Sequence, residues 1–365
     1  MKRGFIMILC TALLFGCVAC GDTTTPSTSD SEATLSRTES TGSIPDSVTE
    51  SVSSTTQTED ETVDTVSNQV LACDQYNRRI VLYNLDLLSE GDTLEKGEIW
   101  SLDAGYAADM KYREGTVFGD VVLVAGTYDS GIYAYPEKTP LFITKDPGNN
   151  PHAVELLPSG NMVIANSTGN CLRLFYASAA LENKEAPRYT EYELKDAHGL
   201  LWDPEYEVLW ALGSDELAAY ALTGEGTEEK LSKISSGLGA SLPKEFPGGH
   251  DLSADLTNPN FLYLTTNKGP IRYDKENGTF TANFTQSNQI PKGYLKALSN
   301  NPSGTFFFVQ TNGGKGTAWE SMNISGWCSD QISCILNTEN GVRKISYKST
   351  TSAFYKSRAF CGQYQ

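Results

Sequence analysis

Beyond its first twenty residues the chain has no long apolar run, no sustained helical periodicity and little basic charge. Each absence excludes something. A helix that crosses a bilayer needs about 20 consecutive apolar residues, and no later segment approaches that. Without apolar residues recurring every third or fourth position over a long window, a helical bundle is excluded. Lys and Arg total 28 against 45 Asp and Glu, a formal net charge of −17. That balance opposes nucleic-acid binding, which needs a basic footprint. No Gly-x-Ser-x-Gly elbow, His-Glu-x-x-His pair, phosphate-binding loop or zinc-finger spacing is present. Histidine is scarce too, with only His152, His198 and His250.

The N-terminus carries an export signal. Met1-Lys2-Arg3 is basic, and Phe5 to Phe15 is apolar apart from Thr11. Such a segment is too short for an ordinary spanning helix. Two partial lipid-attachment patterns follow, Leu14-Phe15-Gly16-Cys17 and Cys17-Val18-Ala19-Cys20. Cys20 is the preferred lipidated residue and Cys17 the competing one. Residues 1–20 are therefore expected to be a lipoprotein-type signal, placing the protein at the outer face of a bacterial cell membrane. Residues 21–68 are rich in Ser, Thr, Asp and Glu, and cannot bury enough apolar surface to fold. They read as a solvated tether. Signal and tether together hold ten acidic and three basic residues, so they account for −7 of the −17.

Residues 69–365 read as one all-β domain. Six apolar strands recur, at 70–74, 121–125, 162–166, 208–212, 261–265 and 306–310, most followed by a polar turn and another strand. About 49 residues per unit suits four-stranded propeller blades. Turns such as Leu157-Pro-Ser-Gly160 and Asn301-Pro-Ser-Gly304 repeat about ten residues after the histidine positions. The first unit lacks an innermost strand, and Phe354-Tyr-Lys-Ser-Arg-Ala-Phe360 can supply it. The expected fold is a six-bladed β-propeller closed by pairing the C-terminal strand with the N-terminal blade. A monomer is expected.

Each histidine opens an innermost strand, with intervals of 46 and 52 residues. Equivalent positions in a propeller converge on its axis. Carrying that position around the ring gives Asp109, His152, His198, His250, Lys296 and Lys356, with Arg358 two residues beyond. Three readings follow. Three imidazoles can hold a divalent metal as a cofactor. Without metal they can serve as catalytic acids or bases, Lys neutralising developing charge. The third reading is a wet polar channel without chemistry. Two lysines favour a small anionic, carbohydrate-like ligand. The long connection 311–334 is expected to form a lid, with Trp319 or Trp327 as a platform for a sugar ring and a Cys328–Cys334 disulfide as its clamp.

Several stretches in order resemble a family of bacterial exported propeller proteins classed as a domain of unknown function. They include Cys73-Asp-Gln, Ile99-Trp-Ser, Pro151-His-Ala-Val-Glu-Leu-Leu, Ala197-His-Gly-Leu-Leu-Trp-Asp-Pro, Gly248-Gly-His-Asp-Leu and Phe354-Tyr-Lys-Ser-Arg. The resemblance implies a lipid-anchored or secreted propeller and supplies no activity. Two function classes stand: a surface module that captures a ligand or partner, and an extracellular lyase or hydrolase working through the three histidines.

Overall fold

A computed structural model describes residues 67–182, 188–311, 326–338, 341–362 and 364. Nearly all regular structure there is β, in six antiparallel sheets. Each sheet is one blade. Blade one joins Phe354–Ala359 to Gln69–Asp74, Arg79–Asn84 and Glu98–Asp103, so the expected closure forms. Its register pairs Val70 with Ala359, Leu71 with Arg358 and Ala72 with Ser357. Blades two to six begin with innermost strands Ala107–Thr116, Pro151–Leu156, Gly199–Asp203, Gly249–Ala254 and Leu295–Asn300. The six innermost strands pack in turn around one axis.

The apolar core explains why the second strands are continuous apolar runs rather than alternating ones. A blade is covered on both faces by its neighbours, so both faces must be apolar. Val121, Leu123 and Ala125 face blade three, while Val122 and Val124 face blade one. Six buried clusters result, one at each blade interface. The inner hairpins close with the expected chemistry. Gly160 and Gly304 take positive φ of 87° and 79° at the ends of their Pro-containing turns.

One expected crosslink is absent. Cys328 and Cys334 are both free thiols. Cys328 lies in the cluster between blades one and two, and its Sγ is 3.3 Å from Gln75 Oε1. Cys334 lies on the strand Gln331–Thr338 and faces the cluster between blades six and one. A six-residue separation looked like a clamp, but Cys328, ahead of the strand, and Cys334, on it, are buried in different cores. Trp319, Cys20, Cys17, the signal and the tether as far as residue 66 lie outside the described residues, while Ser67 and Asn68 already bond Asp86 of blade one.

Candidate functional site

Antiparallel topology puts three features on one face: the start of every innermost strand, the connection leading into it, and the turn between second and third strands. The residue that opens each innermost strand is irregular. Strand register skips Ala108, His152, His250 and Lys296, each a β-bulge. Tyr355 falls in the matching irregular stretch of blade one. His198 stands just ahead of Gly199–Asp203, its N–H donating to Leu212 O at 2.8 Å. A bulge re-aims a side chain out of the sheet alternation, and here it turns the residue toward the mouth of the axis. A residue with positive φ precedes it by two positions in blades three to six: Asn150, Asp196, Gly248 and Tyr294.

The mouth is therefore ringed by Ala108, His152, His198, His250, Lys296 and Tyr355. Ring centroids are 4.3 Å apart for His152–His198 and 5.2 Å for His198–His250. Tyr355 stands 5.8 Å from His152, and Lys296 Nζ lies 6.0 Å from the Tyr355 centroid. A cavity of about 370 Å³ opens beside this ring, lined by Gln75, Tyr106, His152, Lys296, Trp327 and Tyr355 among others. Trp327, expected as a platform, is at this wall. Tyr106, Tyr355 and Gln75 were missed in the sequence because they lie outside the histidine pattern.

Sequence spacing placed two ring members one residue too far along. Asp109 and Lys356 follow the true ring positions, Ala108 and Tyr355, and the bulge hides that slip. With Arg358 they lie below the mouth as buried ion pairs and are not ligand-facing. Arg358 contacts Asp109 at 2.8 Å and Asp251 at 2.6 Å. Lys356 bonds Asp251 at 3.0 Å and the His152 carbonyl at 2.9 Å. Deeper still, Glu155 pairs with Lys111 at 2.9 Å and Arg113 at 2.8 Å. Charged side chains thus fill the axis beneath the ring, and such groups persist in a core only when paired and hydrogen-bonded.

The imidazoles are held neutral. Burial, then the charge of neighbouring His198 and Lys356, pushes His152 well below its usual pKa. Burial lowers His198 to about 4, the Lys356 and Lys296 charges adding to it. His250 falls to about 4 through burial and Lys296. Burial and the Lys356 charge also lower Lys296. Tautomers follow from partners. His152 Nδ1 faces Asn150 O at 3.0 Å, and His198 Nδ1 faces Asp196 O at 2.9 Å. A carbonyl only accepts, so both Nδ1 atoms carry the proton and Nε2 is the basic nitrogen. His250 differs: its Nε2 bonds Asn267 Oδ1 at 2.7 Å, and its Nδ1 is buried without a partner.

That donor set does not fit a metal. His250 commits its Nε2 to Asn267 and buries its other nitrogen, and Lys296 and Lys356 oppose a cation. Among the described residues no three His, Cys, Asp or Glu side chains come together so as to hold an ion.

The fold and site define a six-bladed propeller with a histidine- and lysine-ringed axial mouth. The chain belongs to the family of unknown function DUF6528, whose pattern matches residues 133–342, more than half of its length. No curated protein matches it. Among solved structures it is similar to a candidate 6-phosphogluconolactonase from Bacteroides uniformis ATCC 8492, with 12% identity and a TM-score of 0.49. That likeness covers 78% of this chain and 84% of the other, and it carries no argument about chemistry.

Proposed function

We propose that the axial mouth binds a small carboxylate-bearing, carbohydrate-like ligand. The carrying observation is the ring beside its cavity: Lys296 and His152 line a cavity with aromatic and amide walls, and His198 and His250 pack in turn behind His152. Lys296 supplies the charge for an anion. His152 presents its Nε2 at the cavity wall, where a nearby anion favours its protonation, and Tyr106 and Trp327 offer apolar faces to a sugar ring. The N-terminal sequence supports placing this mouth outside the cell, tethered by lipid on Cys20 at the membrane surface. Calorimetric titration with galacturonate tests the site. Lys296→Ala is expected to weaken binding about tenfold, the loss of one charge-assisted bond. Equal affinity in parent and variant would sink the reading.

One observation favours a second reading, an extracellular lyase or hydrolase. Nδ1–H of His198 sits between the Asp196 carbonyl and its carboxylate, 3.3 Å away. A base held from behind by a carboxylate is suited to proton transfer. Turnover of uronate polymers that vanishes in His198→Asn, with folding intact, would support that reading; turnover that survives would remove it.

A further inference from the structure

Exposed aromatic side chains are not scattered over this protein. Among the described residues the strongly exposed ones are Tyr76, Tyr106, Tyr128, Tyr294 and Trp327, from 37% to 71% exposed. All five sit on the mouth face. Tyr106 and Tyr294 lie in connections that enter innermost strands, and Tyr76, Tyr128 and Trp327 in turns between second and third strands. The exposed large aliphatics Leu87, Ile99, Val117, Leu181 and Val342 are all elsewhere, on outermost strands or in connections at the other face. Chance does not sort side chains in this way, and exposed clustered aromatics mark a contact surface.

Three of the five form a path leading out of the mouth. Tyr106 and Trp327 line the axial cavity. Tyr128 stands beyond them, its ring centroid 6.2 Å from that of Tyr106. Arg78 also packs on Tyr106, its guanidinium carbon 4.8 Å from the Tyr106 centroid and its Nη2 3.4 Å from the Tyr106 hydroxyl. Aromatic faces bind the apolar faces of sugar rings, and an arginine among them binds carboxylates bidentately. Neither Tyr128 nor Arg78 is among the residues that line the mouth cavity.

Resting on the anion-binding reading of the mouth, we infer that the mouth is the innermost subsite of a longer cleft for an acidic oligosaccharide. Tyr106 and Tyr128 stack the units outside the mouth, and Arg78 meets a further carboxylate. The occupant is a chain of uronate-bearing sugars, chosen by the pairing of cationic and aromatic side chains along one line.

The test compares the purified protein's affinity for galacturonate of one to six units, together with glucuronate- and mannuronate-containing oligomers. The tetramer is expected to bind at least about tenfold tighter than the monomer, since each added contact draws on an already bound chain. Tyr128→Ala and Arg78→Ala should collapse that ratio, whereas Lys296→Ala should weaken every length alike. Tyr128 is mostly exposed, so its removal leaves the core untouched. Monomer binding with no gain from length overturns the cleft and leaves the mouth intact. A gain that persists in both variants also overturns it. No binding of any uronate at any length overturns both readings.

Discussion

His198 ties the stability of the fold to pH. It is 7% exposed, and burial holds its pKa at about 4 against about 6.5 when unfolded. Between those values the unfolded chain binds the proton and the folded one does not, so stability falls as pH falls from 6.5 toward 4. At pH 5 this one imidazole costs up to about 2 kcal/mol relative to pH 7. Thermal melts of His198→Asn should lose less stability between pH 7 and pH 5 than the parent does; parallel losses would contradict the assignment. A bound anion acts oppositely, raising the imidazole pKa. Uronate affinity should therefore rise several-fold from pH 7 to pH 5, while the carboxylate stays ionised, and flat affinity would count against the site. Gly248 is a second sensitive position. Its φ is +72°, and a Cβ there would lie 2.0 Å from Asn267 Nδ2, the side chain that holds His250. Gly248→Ala should cost about 1–3 kcal/mol in denaturant melts and disturb the His250 resonance.

The strand Phe354–Ala359 is the most consequential element. All six of its residues are buried, and it closes blade one. It also delivers Lys356 and Arg358 to Asp109 and Asp251. Removing residues 354–365 opens the ring and leaves buried carboxylates unpaired, so the shortened chain should show no cooperative melt. A soluble, cooperatively melting truncation would refute the closure. Asp251→Ala is a milder test of the same element. It strands Lys356, leaves Arg358 with Asp109 alone, and should cost about 3–5 kcal/mol, whereas a neutral result would mean that the ion pairs are dispensable.

The blade strands were readable in sequence because each is apolar on both faces and ended by Pro, Gly or Asn turns. The closing strand was readable because the first unit lacked one. Three histidines converged because repeats preserve position. What was hidden is what a period of two cannot register. A bulge shifts the count by one, so Ala108 and Tyr355 gave up their ring places to Asp109 and Lys356. Cys328 and Cys334 likewise are buried in different cores, although their spacing suggested a loop clamp.

Across the six blades, charge pairs fill the axis, and the exposed aromatic side chains share the face that holds the mouth. The proposed anion site lies on that face, above the paired ions of the axis. Scarcity of histidine makes this directly measurable. Protein labelled with nitrogen-15 in histidine reports on only three imidazoles, two ring nitrogens each, all at the mouth. Titration of that sample with galacturonate, followed across roughly pH 3 to 8 so that both the free and the unfolded values are bracketed, is the decisive measurement. The expected result is free pKa values near 4 for His198 and His250, moving upward on saturation, with the signals of all three imidazoles shifting together. Signals and pKa values that ignore the ligand would contradict an anion site at the axis.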